Sequence, residues 1–70
     1  MINGNKIREL RLEKGLTCLD VSNLSKRLDV PISKTYLEEL ERGAKLNPSF
    51  NVIETISIIL TVKLDELRIV

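Results

Sequence analysis

The residues with usable chemistry are concentrated in one stretch, Ser33-Lys34-Thr35-Tyr36-Leu37-Glu38-Glu39-Leu40-Glu41-Arg42-Gly43. It offers an ammonium, a guanidinium, two hydroxyls ahead of the tyrosine, and three carboxylates. Helical spacing sends Tyr36, Leu37 and Leu40 to one side, because positions three and four apart share a face. Lys34, Thr35, Glu38, Glu39 and Arg42 are then left outward. A serine start, a glycine stop and a narrow apolar side describe a short helix built to be shown to a partner. Elsewhere the chemistry is thin. The chain has no histidine and a single cysteine, Cys18. Zinc sets and the common nucleophile–base pairs are therefore out of reach, and the sequence predicts no enzyme, no metal and no cofactor.

Seventy residues allow one domain, 1–70, and a chain this short buries only about 60% of its unfolded surface. The composition is 43% hydrophobic with one Phe, one Tyr and no Trp, so the core must be built from Leu, Ile and Val. One cysteine forms no internal disulfide, which favours a reducing, cytoplasmic setting. The start has no apolar leader, and the run from Ile56 to Val62 is too short to cross a bilayer. Eleven basic and ten acidic residues leave a net charge of +1, which by itself points to no partner. The charges are nevertheless segregated: Lys6, Arg8, Arg11 and Lys14 near the start, Lys26 and Arg27 mid-chain, and Glu38, Glu39 and Glu41 in the central stretch. Any of these groups could equally be a solvated face.

The remaining elements read as a mount for that stretch. A first helix is expected from about Asn5 to Lys14, with Ile7 and Leu10 inward and Gly15 as its left-handed stop. Thr17 caps a second from about Cys18 to Leu28, with Val21, Leu24 and Leu28 as its buried stripe. Pro31 prevents continuation, making Asp29–Ile32 a turn and Ser33 the next cap. A fourth helix starts at Ser49, or at Asn47 ahead of Pro48, and runs to about Leu60 on Phe50, Ile53, Ile56, Ser57 and Leu60. A fifth short helix is expected from about Leu64 to Arg68. Five brief helices make a compact all-α domain.

Ile7-Arg8-Glu9-Leu10-Arg11, Lys14-Gly15-Leu16-Thr17, Tyr36-Leu37-x-x-Leu40-Glu41-Arg42-Gly43, Asn47-Pro48-Ser49 and Val62-x-Leu64-Asp65-Glu66-Leu67 occur in this order. Together they resemble the lambda-repressor-like, Cro/Xre-type helix-turn-helix family over about residues 4 to 67. The resemblance implies a DNA-binding transcription regulator, a homodimeric repressor, whose second and third helices form the helix-turn-helix and whose third enters the major groove.

By that resemblance Lys34, Thr35 and Glu39 read base edges. Lys34 has the donors for guanine, Thr35 suits several bases, and Glu39 could accept from cytosine. Glu38 is either a fourth reader or a partner for Lys34 one turn earlier. Thr17, Cys18, Ser33, Arg42, Lys45 and Asn47 fall at positions for the DNA backbone. Arg11 and Glu41 are matched to an ion pair tying the first helix to the third. Val52, Ile58, Ile59, Ile69 and Val70 exceed the needs of one small core and suggest a dimer face. Three features depart from the family pattern. About five additional residues precede the reading helix, and the second helix is expected to be lengthened. Cys18 replaces a usual glutamine, and a thiol at a helix start tends towards a lowered pKa. Glu38 and Glu39 bring carboxylates towards phosphates. The acidic pair keeps a second reading open, in which the face meets a protein, as in an antitoxin or anti-repressor partner.

Overall fold

The structure is a computed structural model that describes residues 2–45 and 47–67. Among these the chain forms α1 (Gly4–Glu13), α2 (Cys18–Arg27), α3 (Lys34–Arg42), α4 (Phe50–Leu60) and a closing 3-10 turn (Leu64–Leu67). The expected fifth helix is this single turn. Arg68, Ile69 and Val70 lie outside the described residues.

Each helix is bounded by local chemistry at both ends. Asn3, Thr17, Ser33 and Ser49 have extended backbones, and their side chains accept from the amides of Lys6, Asp20, Tyr36 and Val52. Thr17 and Asp20 form a reciprocal capping box, each side chain accepting from the other's amide at 2.9–3.0 Å. Such a cap contributes about 1 kcal/mol, because it satisfies an amide the helix itself leaves unpaired. The four C-termini share a second device. A residue at positive φ lets the next amide fold back: Leu16 donates to the Arg11 carbonyl, Val30 to Ser25, Ala44 to Glu39 and Val62 to Ser57, at 2.9–3.3 Å. This is the Schellman geometry. Gly15 and Gly43 occupy the left-handed position in two cases; in the others it is Asp29 (φ 62°) and Thr61 (φ 57°), neither of which advertises a helix stop.

Leu37 and Leu40 of α3, Ile56 and Leu60 of α4, Ile7 of α1, Val21 of α2 and Leu67 meet in one core with at most 1% exposure each. Full burial of each such side chain contributes roughly 1.5–3 kcal/mol. α3 packs on α1 and α2, α4 on α2, and the 3-10 turn on α1 and α4. Ile2 and Ile32 complete the core from outside the helices. The Asn3 amide donates to the Leu67 carbonyl at 2.7 Å, joining the two ends of the fold. Gly4 follows directly, and a Cβ there would collide with the Leu40 carbonyl oxygen and crowd the backbone of Glu41. The start of α1 is therefore seated against the end of α3.

The α2 stripe differs from the expected one. Val21 is buried, but Leu28 is 39% exposed, and Ser22 and Ser25 take the inward positions. Helix α2 ends at Arg27, so Leu28 is its cap and is carried off the stripe as the chain turns away. Phe50, expected on the inner face of α4, is 55% exposed, because it is the first residue of α4, beyond the part that covers the core.

Candidate nucleic-acid interface

Two helices set the geometry. The inner side of α3 is fixed by Leu37 and Leu40, both fully buried, with half-buried Tyr36 beside them. Its outer side carries Lys34, Thr35, Glu38 and Arg42, all exposed, and half-buried Glu39. The Lys34 ammonium lies 3.8 Å from a Glu38 carboxylate oxygen, one turn along, in an open ion pair. Such a pair contributes only a few tenths of a kcal/mol, so both side chains are free to exchange partners.

The connection between α2 and α3, residues 28–33, is held by a residue that the sequence reading passed over. Ser25 is fully buried. Its hydroxyl donates to the Ser22 carbonyl at 2.6 Å and accepts from the Ile32 amide at 2.9 Å, while its own carbonyl receives the Val30 amide. Ile32, at 2% exposure, is drawn into the core immediately before the α3 cap. The connection is thus pinned at its middle and at its end, and the angle between α2 and α3 is defined despite the additional residues. Ser25 lies four positions after Val21, and that spacing alone placed it on the buried face.

A polar cluster ties α1, α2 and α3 together behind the exposed surface. Arg11 grips Glu41 with two bonds, Nε to Oε2 at 2.8 Å and Nη2 to Oε1 at 3.0 Å, and donates its remaining nitrogen to the Leu16 carbonyl at 2.8 Å. The two side chains are 12% and 7% exposed. Cys18, at the start of α2, points its thiol at the same carboxylate, 3.5 Å from Oε2. Its pKa is raised, first by burial and then by the Glu41 charge, with Arg11 opposing. This runs against the expectation of a lowered value at a helix start: burial and the neighbouring carboxylate both favour the neutral thiol. The Arg11 pKa is raised by its bond to Glu41.

The other expected contact residues surround α3. Thr17 and Ser33 are exposed caps, and Lys45 and Asn47 lie exposed beyond Gly43. The Lys45 amide donates to the Glu39 carbonyl at 3.3 Å, which holds this residue near the end of α3. The proposed dimer residues divide: Ile58 is 56% exposed, whereas Val52 and Ile59 are half-buried against their own core. Ile69 and Val70 are outside the described residues. No group of three or more metal-binding side chains occurs among the described residues, and no helix there is long and apolar enough to cross a membrane.

A helix-turn-helix family model matches residues 7–67. The chain belongs to the Cro/C1-type helix-turn-helix family. The match runs from Ile7 in α1 to the last residue of the closing turn, so it includes most of the mount as well as α2 and α3. Membership makes this helix-turn-helix protein one of a family of DNA-binding regulators. No curated protein is similar enough to serve as a relative.

Proposed function

We propose that this helix-turn-helix protein is a cytoplasmic, sequence-specific repressor that binds double-stranded DNA as a homodimer of one-domain subunits, with α3 in the major groove. One observation carries the reading. Leu37 and Leu40 seat α3 in the core with Tyr36 half-buried beside them, while the outer side of the helix leaves Lys34, Thr35, Glu38 and Arg42 exposed, side chains chemically suited to bases and phosphates. Lys34 and Thr35, immediately after the Ser33 cap, are the leading base contacts, with Glu39 and Glu38 behind them. Thr17, Cys18, Ser33, Arg42, Lys45 and Asn47 border the helix and suit the phosphate backbone. The longest extent of the molecule is 29 Å, shorter than the roughly 34 Å between half-sites one DNA turn apart. Two copies are therefore needed to read two half-sites, and the exposed Ile58 beside Val52 and Ile59 on α4 offers a face for pairing.

Selection of bound sequences from random duplex DNA, followed by affinity measurements, tests the proposal. Lys34→Ala should relax preference at one base pair by about 1–3 kcal/mol, whereas Lys45→Ala should weaken all sequences alike and flatten the salt dependence. Folded protein that prefers no sequence at low salt would refute it. The second reading, an antitoxin or anti-repressor surface for a protein, draws on the Lys34–Glu38 pair, which leaves the outer face of α3 balanced in charge. It predicts tight binding to a protein partner and no salt-dependent binding to duplexes.

A further inference from the structure

Beside α3 lies an open groove of about 380 Å3 between α1 and the end of α3, with Cys18 of α2 also in its lining. Its banks carry Arg8 from α1 and Arg42 from α3, both exposed. The least exposed lining groups are Arg11 and Glu41, already joined to each other at 2.8 Å. The remaining carboxylate, Glu38, has Lys34 as its partner. Each acid in the groove therefore has a cation of its own. Among the described residues neither Arg8 nor Arg42 has a carboxylate within ion-pair distance. Two guanidinium groups without a carboxylate partner, lining one groove from different helices, can together hold an oxyanion, since each presents several N–H donors in a fixed plane.

We propose that this groove seats a phosphate of the DNA backbone, with Arg8 and Arg42 clamping it from opposite banks and the first turn of α2 at its end. The inference rests on the DNA-binding reading above and extends it: Arg8, which carries no base information, fixes how far α3 sinks into the major groove and where it stops. The neutralised Arg11–Glu41 pair acts as an uncharged floor that keeps the banks apart. It also explains why a chain with a net charge of only +1 can hold a polyanion. The cations of α1 and α3 act at one place, and the acid on the floor between them, Glu41, is matched by Arg11.

The test is titration of the selected duplex by fluorescence anisotropy at several salt concentrations, with wild type, Arg8→Gln and Arg8→Lys. Circular dichroism checks that the variants fold, which the exposure of Arg8 favours. Loss of one phosphate contact removes about 0.9 from the salt slope, so between about 50 and 200 mM salt Arg8→Gln should lose roughly threefold less affinity than wild type. Arg8→Lys should keep the wild-type slope. A single neutral methylphosphonate is then walked along each strand. One position should weaken wild type clearly more than Arg8→Gln, in which Arg42 alone still meets that phosphate, a response that a merely structural role would not produce. An Arg8→Gln protein with the wild-type slope, or with the full methylphosphonate response, overturns the clamp even if Lys34→Ala still alters sequence preference. Wild-type protein that binds no duplex overturns both this inference and the reading beneath it.

Discussion

Replacing Gly4 by alanine should destabilise the fold, against the usual direction of a glycine-to-alanine change in a helix. On propensity alone the substitution would gain up to about 1 kcal/mol, less at the first helical position. The added methyl, however, would meet backbone: the Leu40 carbonyl oxygen, the Glu41 carbonyl oxygen at 2.8 Å and the Glu41 carbonyl carbon at 3.0 Å. No side chain can rotate aside to admit it. Relief requires α1 to back away from α3, which strains the Asn3–Leu67 hydrogen bond at 2.7 Å and the Arg11–Glu41 pair at 2.8 Å. Overpacking of this kind costs about 1–3 kcal/mol, and rigid neighbours on both sides put the site at the upper end. After the propensity gain, a net loss of about 2 kcal/mol remains. In a domain of this size that lowers Tm by roughly 10 °C. Thermal and urea unfolding followed by circular dichroism measure it. Unchanged or increased stability would show that α1 can retreat freely, and the close seating of α1 on α3 would then be unimportant.

Further outcomes follow from the same coordinates. Glu41→Leu alone should cost about 3–5 kcal/mol, because it leaves the Arg11 guanidinium buried without its carboxylate; the double change Arg11→Met with Glu41→Leu should cost less than that single change. A double change that costs the sum of the two single changes would mean the pair is not coupled. Asp29→Gly and Thr61→Gly should each stabilise by about 0.5–1 kcal/mol, since both residues sit in the left-handed region and the relief outweighs the added freedom of the unfolded chain; a loss at either position would contradict its cap. The Cys18 thiol should alkylate slowly at neutral pH, and Glu41→Gln should speed it by lowering the raised pKa. Because the native value lies above the unfolded one, the thiol's contribution to stability is complete below the ordinary thiol range and is lost as pH climbs through the raised native value. Rapid alkylation of the folded protein at neutral pH would contradict this.

The elements were legible where local chemistry defines them. Asn, Ser and Thr caps, Gly15, Gly43 and the three-and-four spacing of Leu37 and Leu40 are short-range features, and they bound α3 within a residue. The order of the motifs was enough to indicate the family. Legibility failed where a residue's role depends on a neighbour far along the chain. Asp29 and Thr61 end helices although neither is glycine, because the segments after them are drawn into the core and leave the backbone no other course. Leu28 and Phe50 read as core by spacing yet stand in solvent, since each lies at a helix end that overshoots the packed region.

Sequence alone indicated four of the short helices, together with a fifth that is a single 3-10 turn, an aliphatic core, and one helix exposing Lys34, Thr35, Glu38 and Arg42, with Glu39, also expected outward, half-buried; these depend on residues within a turn of one another. Tertiary structure decided the rest. It placed buried Ser25 within hydrogen-bond reach of Ile32, set Glu41 against Cys18 so that the thiol's pKa is raised, and brought Arg8 and Arg42 to the lining of one groove. Those relations join residues 7 (Ser25–Ile32), 23 (Cys18–Glu41) and 34 (Arg8–Arg42) positions apart, and only the packing of helices on a shared core brings such groups together.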